Sequence, residues 1–370
     1  MLYFSKSIGM GRKDMGLTKR EVKYEYLRTL AVFAIIMVHA IPAETINFRQ
    51  WLFSAALSPV LLAFVGIYFM LSGLFLLNSG TEDIHGFYRS RFLTIFIPFA
   101  YYSGIYYWYF EIHLREDSLK WQEHLAAFGK GLLTGTIPMT PHLWFMYVIM
   151  ALYLCAPFLA RMMKSINDRD LKILLVLMVV IQGICTYLPA FGLEVGESLH
   201  YMIFKGWLIY FVLGYALKRL YGSSRYLPFG LMGMAGFIIT MVQKLFIPTF
   251  TPGIHDLAPT MMAMAAAIFL FIEHFGDKKA HALVKAASFI SRYSYSVYLI
   301  HYLVLGQIAG KLVGKTFIRH YFVPRILCET ILTFLISLAA AWIIDGTIGK
   351  LLKNSVGRVC YRKINIKGGR

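Results

Sequence analysis

Acidic residues are scarce in this chain: 19 Asp and Glu stand among 370 residues, against 37 Lys and Arg. Charged residues of both signs reach only 15%, where a soluble domain has about one quarter. That shortage excludes an ordinary soluble globular protein. Cysteine is scarce too. Cys155, Cys185, Cys328 and Cys360 show neither CxxC nor metal-ligand spacing, and three of them lie in apolar runs, so they read as free thiols. HExxH and comparable carboxylate-bearing motifs are missing, which leaves no basis for a metal site. There is no internal repeat and no low-complexity segment. No stretch outside the apolar runs is long enough for a soluble catalytic domain, so any chemistry sits among the helices or at their ends.

What the chain has in quantity is apolar surface: 58% hydrophobic residues, 16% aromatic, and a mean hydropathy of +0.61. Uncharged apolar runs of about 18 residues or more are membrane-helix candidates, and 141–160, 173–193 and 226–243 qualify. The expected fold is all-α and polytopic. Ten membrane helices are predicted near 26–45, 52–77, 92–112, 141–161, 171–190, 200–219, 226–246, 257–274, 290–310 and 322–349. With that count both termini share a side, and most of the Lys and Arg fall on it, which makes it cytoplasmic. Residues 1–24 read as a basic cytoplasmic tail without the short apolar core of a cleavable signal peptide. Residues 25–352 read as the membrane domain, and 353–370 as a second basic tail. The formal net charge of +18 belongs to those loops and tails; no basic–aromatic module points to nucleic acid. The connection 111–140 contains KWQEHLAAFGKGLL, the pattern of a short amphipathic helix lying at the interface. One external connection breaks the charge rule with Lys311, Lys315 and Arg319, followed by Arg325. Either the last helix pair is misdrawn, or those cations meet something anionic.

Residues 25–39, EYLRTLAVFAIIMVH, concentrate the polar exceptions. Arg28 and His39 are eleven residues apart, about three turns and roughly 16 Å, on one helix face. A polar group at membrane depth costs free energy and therefore suggests function; a histidine hydrogen-bonded to a neighbouring helix is the plainer reading. Loop 79–91 ends in FYRSR, so Arg89 and Arg91 stand at the cytoplasmic entrance of the third helix. Arginines there satisfy the charge rule by themselves. With Arg28 they also offer three permanent cations suited to phosphate oxygens. Ser72 and Gly73, in YFMLSG, suit close helix packing. His142 and Trp144 open the fourth helix at the external interface, where an amphipathic anchor is the simple explanation, and Tyr153 and Pro157 follow. Tyr298 and His301 share a face of the ninth helix. His301 is expected near mid-membrane, like His39, and histidine can act as a base near neutral pH. Glu329 and Lys205 are further candidates that suit the external surface equally well.

This ordered set of elements resembles the acyltransferase-3 family of integral membrane acyltransferases, in particular its compact members that modify surface polysaccharides and lack an appended hydrolase-like domain. The matching stretches are EYLRTLAVFAIIMVH, YFMLSG, FYRSRFLTIFIP, HLWFMYVIMALYLCAP and ISRYSYSVYLIH, spanning about 25–305. The resemblance implies that His39 is the essential histidine and Arg28 its same-helix partner. It assigns Arg89 and Arg91 to the acyl-CoA donor, with His142, Trp144 and His301 as further signature positions. Glu25 stands where the family often has aspartate, Thr94 where it often has a third arginine, and Thr29 where a glycine is usual. The function implied is transfer of an acetyl or succinyl group from cytoplasmic acyl-CoA to a glycan or lipid-linked sugar, in a bacterial inner membrane. His39 and His301 would be catalytic, with Glu25, Ser72, His142, Trp144 and Tyr298 on the acceptor side or in support. His39 acts there as base or as transient acyl carrier, with no metal. Expected partners are acyl-CoA, the acceptor and membrane lipids, and a homo-oligomer is compatible. The rival reading is a sugar transporter or flippase, which buried histidines and helix-breaking Gly and Pro also suit, although such proteins often carry an internal repeat.

Overall fold

The computed structural model describes residues 21–79, 83–115, 119–193, 204–246, 257–276, 281–352 and 355; most of the two basic tails lies outside them. Every regular element among the described residues is helical. A helix occupies each of the ten expected segments, with shifted ends. Numbered in chain order they are α1 (Val22–Ala40), α2 (Phe48–Asn78), α3 (84–113), α4 (Trp121–Thr134), α5 (Pro141–Ser165), α6 (Asp168–Tyr187), α7 (Trp207–Leu220), α8 (Tyr226–Phe246), α9 (Pro259–Phe275), α10 (281–314) and α11 (Phe322–Leu352). The eleventh, α4, is the short helix expected in the connection after α3. Six of these, α2, α5, α6, α8, α10 and α11, are long and apolar enough to cross a membrane, and α9 is apolar but shorter. The chain is thus a multi-pass membrane protein.

Three ends differ from expectation for local reasons. α1 stops at Ala40, five residues early, because Ile41 precedes Pro42 and takes an extended conformation (φ −71, ψ 122); a residue before proline avoids the helical region. His39 is therefore in the last turn of α1 and is exposed, not in mid-span. α3 starts at Ile84, so Arg89 and Arg91 lie inside a helix and not at the end of a loop. Asp83 caps it by accepting from the Gly86 N–H at 2.8 Å. A π-turn at Phe92–Phe96 precedes Pro98, whose ring nitrogen has no proton for the helical ladder. Finally, α7 begins at Trp207, which leaves Lys205 in the preceding turn.

The helices form two compact units. The first holds residues 83–154 and 292–352 of the described chain, and the second holds 21–79 and 155–291. In the second unit α2 packs on α7 and α1, and α8 packs on α9. The α2–α7 crossing is unusually close. Gly73 lies against the Phe211 backbone and Gly214 against that of Met70, as the Ser72–Gly73 pair suggests. At one end of this unit a buried charge network joins α1, α7 and α9. Lys23 pairs with Glu21 at 2.9 Å and with Glu273 at 3.1 Å, and Lys218 also meets Glu273. Glu273 is 4% exposed, so these two cations meet an acidic side chain in the interior, where breaking a buried pair is costly.

Candidate active site

In the first unit, side-chain contacts fix the order of levels along the bundle. Tyr295 donates to the Ile95 carbonyl at 2.8 Å, the Leu303 N–H donates to Tyr106 Oη at 2.9 Å, and Tyr109 donates to Gln307 Oε1 at 3.3 Å. α3 and α10 therefore run in the same direction. α5 runs the opposite way, since Tyr88 donates to the Leu154 carbonyl at 2.7 Å while His142 reaches Leu299.

At the starting end of α3, Arg91 lies between two aromatic rings, 5.2 Å from the Phe87 centroid and 5.7 Å from that of Tyr153. Guanidinium–ring stacking contributes about 0.5–2 kcal/mol and fixes the plane of the cation. Its Nε is buried and has no hydrogen-bond partner among the described residues. A buried charged donor left unsatisfied costs on the order of 1–3 kcal/mol or more, so an anion brought to this arginine would relieve a standing penalty. Arg89 is on the same helix, half-buried.

Eleven residues along α5 from Tyr153, about 17 Å by helical rise, a second feature appears. His142 and His301 have ring centroids 4.9 Å apart, and they are 3% and 0% exposed. The sequence places His142 at the external surface as an anchor; the structure buries it, and only Trp144, 40% exposed, fits that role. The reason is α10: Tyr302 stacks on His142 at 5.4 Å, Tyr298 is 5.6 Å away, and Tyr106 of α3 closes the cage at 5.7 Å. Tyr298 donates its hydroxyl to the His142 carbonyl.

The hydrogen bonds select tautomers. His301 Nδ1 is 2.6 Å from the Tyr298 carbonyl, which can only accept, so Nδ1 carries the proton and Nε2 the lone pair of the neutral ring. In His142 it is Nε2, 3.3 Å from the Leu299 carbonyl, that donates, and Nδ1 that carries the lone pair. The two rings are thus held with opposite polarity. Leu299 and Leu303 are also the two ends of one helical rung of α10, bracketed by His142 and Tyr106. A π-turn, Leu305–Ala309, begins just beyond. Such bulges concentrate where a helix re-aims side chains at a functional site.

The remaining predicted positions, Glu25, Arg28, His39 and Ser72, are in the second unit. Arg28 stacks on Phe75 at 4.9 Å, and its carbonyl accepts from Tyr68 Oη at 3.4 Å. Glu25 is 1% exposed and accepts from Ser288, and Thr29 donates to the Ala287 carbonyl at 3.4 Å. These bonds tie α1 to the first turns of α10. Ser72 is half-buried beside Gly73. Glu329, which the sequence leaves open between a functional and a surface position, is 4% exposed and accepts from Arg325 Nε at 2.8 Å.

Two groups escape sequence reasoning. Asp345 collects hydroxyls from Tyr101 at 2.5 Å, Tyr102 at 3.3 Å and Ser296 at 2.7 Å, joining α3, α10 and α11. The Lys23–Glu273–Lys218 network is the other. A lone acid in the run AWIIDGTIG is the one sequence sign of the first.

A family model described as an acyltransferase domain, Acyl_transf_3, matches residues 21–345. The chain belongs to the acyltransferase-3 family. Among curated proteins, a Bacillus subtilis (strain 168) protein provisionally named membrane-bound acyltransferase YfiQ is 23% identical over 245 residues. The match covers 62% of this chain and 64% of that relative, so the chain spans somewhat under two thirds of its length. No solved structure matches. Among the described residues no cluster of His, Cys, Asp or Glu has metal-binding composition.

Proposed function

We propose that this acyltransferase-3 protein is an O-acyltransferase that moves an acetyl or succinyl group from cytoplasmic acyl-CoA to a hydroxyl of a cell-surface or lipid-linked polysaccharide. In this reading ten helices cross a bacterial inner membrane and both termini are cytoplasmic. The observation that carries it is the layout of the first unit, where a ring-stacked arginine with an unsatisfied Nε lies against Tyr153, and Tyr153 is about 17 Å along α5 from His142 of the buried histidine pair. A long donor with phosphates at one end and a thioester at the other suits that separation.

Arg91 and Arg89 hold the phosphates; guanidinium binds them bidentately and keeps its charge at any physiological pH. A histidine base takes the proton of the acceptor hydroxyl as its oxygen attacks the thioester carbonyl. The carbon–sulfur bond then breaks, and the CoA thiolate leaves and is protonated. His301 is suited to the base role through its Nε2 lone pair, and His142 to steadying the oxyanion. His39 acts as a second base or carries the acyl group transiently.

Purified protein given labelled acetyl-CoA tests this. Wild type should hydrolyse or transfer the label, and His39→Ala should lose at least about a hundredfold of that rate while inserting normally. Full activity in the variant removes His39 from the mechanism, and a wild type inert toward acyl-CoA removes the whole reading. A labelled acyl-histidine trapped in single turnover identifies the carrier role.

Arg91→Ala separates donor binding from chemistry. The KM for acyl-CoA should rise by about 10–100-fold, the loss of one charge-assisted pair, with kcat changed far less. An unchanged KM would count against a phosphate role.

A further inference from the structure

The hairpin joining α10 to α11 carries a cluster of cations that the acyltransferase reading does not use. Lys311, Lys315 and Arg319, with His320 beside them, are all exposed, and they occur within ten residues. Among the described residues, the first three make no ion pair. Lys311 donates to Gln307 Oε1 at 2.8 Å, and Arg319 to the Gly314 carbonyl at 3.4 Å and to His320 Nε2 at 3.0 Å. Arg325 differs, since Glu329 neutralises it at 2.8 Å. The acceptors of Lys311 and Arg319 are neutral, so these contacts position the charges without cancelling them.

Position supplies the second observation. α3 and α10 run parallel, so the hairpin is at the opposite end of the first unit from Arg89 and Arg91. The two helices that meet there carry two of the six candidate membrane spans, Leu283–Gly314 (32 residues) and Phe322–Leu352 (31 residues). At about 1.5 Å per residue both exceed a hydrocarbon core of roughly 30 Å, which places their connection at the bilayer surface. Phe317 is 74% exposed and Tyr321 58%, aromatic side chains of the kind that settle at the headgroup level. Uncompensated cations interleaved with exposed aromatics at that depth match an acyl chain ending in a phosphate. The same cluster is the exception to the charge rule along the sequence.

We propose that Lys311, Lys315 and Arg319 bind the phosphate of a lipid seated in the leaflet at that end of the bundle. The inference deepens the acceptor half of the proposed reaction and rests on that reading only for the meaning of the site. Lys311 is ten residues beyond His301 on α10, about 15 Å along the helix. A lipid whose phosphate sits on the hairpin therefore has its attached sugar within reach of the histidine pair.

The test uses full-length protein in nanodiscs of phosphatidylcholine, titrated with fluorescent phosphatidylglycerol or fluorescent phosphatidylcholine. Wild type should prefer phosphatidylglycerol, and the preference should weaken with salt. The triple variant Lys311→Gln, Lys315→Gln, Arg319→Gln should bind phosphatidylglycerol at least about tenfold more weakly, since each surface cation contributes measurably to anionic-lipid attraction. Its affinity for phosphatidylcholine should be unchanged. The single Lys315→Gln should lie between. Equal phosphatidylglycerol affinity in wild type and triple variant overturns the proposal, as does displacement of the lipid by inorganic phosphate at similar concentration, which would make this a soluble-anion site. Lipid binding is measured without acyl-CoA, so a failure here leaves acyl transfer standing, and an inert enzyme that still binds lipid leaves this site standing.

Discussion

His301→Asn should retain the fold and lose about 10²–10⁴-fold in kcat for acyl transfer, the usual contribution of a positioned general base. Asparagine is the informative substitution because its amide nitrogen can take over the Nδ1 donation to the Tyr298 carbonyl while offering no basic nitrogen. Alanine would confound the result, because His301 is fully buried and truncation opens a cavity in the tyrosine cage. The matched variant is His142→Gln, whose amide can keep the donation to Leu299. It should cost less, and the double variant should cost little more than His301→Asn alone, since residues that act as one unit are not additive. Transfer is read from labelled acyl-CoA, and folding from thermal unfolding in detergent. A His301→Asn protein with near wild-type kcat would make the dyad a packing feature and leave His39 as the histidine that matters.

Local pattern was legible in this sequence wherever one residue type has one physical consequence. Apolar runs became helices, and Pro42 shows why one of them ended early. Ser72–Gly73 marked a close crossing, and the KWQEHLAAFGKGLL pattern marked α4. Tyr298 and His301 shared a face three residues apart and still do. What stayed hidden depends on residues far apart in the chain. His142 and His301 are 159 positions apart in the sequence, and nothing local to either says that α5 starts where α10 passes mid-bundle. An interfacial histidine and a buried one look alike until the neighbouring helix is placed. Asp345 and Glu273 illustrate the same limit, because an isolated acid near a helix end reads as a surface charge until Tyr101 or Lys23 is found beside it. His39 differs in the other direction. The residue pattern carries its helix to 45, past the stop at Ala40, so an end-of-helix side chain reads as mid-span.

The largest stability effect should come from a methyl group. A Cβ at residue 73 would lie 1.7 Å from the Phe211 carbonyl oxygen and 2.5 Å from its carbon, and one at residue 214 would lie 2.0 Å from the Met70 carbonyl oxygen. The clashing atoms are backbone on both helices, so no rotamer change relieves them. α2 and α7 must separate or bend, and they share the most extensively buried part of the second unit, with Phe69, Met70 and Phe211 all fully buried. Overpacking usually costs about 1–3 kcal/mol and more where backbone has to move, so Gly73→Ala should lower stability by roughly 3 kcal/mol or more. The appropriate comparison is Gly230→Ala in α8, where an added Cβ meets nothing within 4 Å. That substitution should be neutral or gain up to about 1 kcal/mol from the better helix propensity of alanine. Thermal unfolding of the three proteins in one detergent separates the cases. Equal midpoints for Gly73→Ala and Gly230→Ala would mean that α2 and α7 do not cross this closely. A low midpoint for Gly73→Ala alone places the close contact beside Ser72, where the second unit would have least room to absorb a displaced helix.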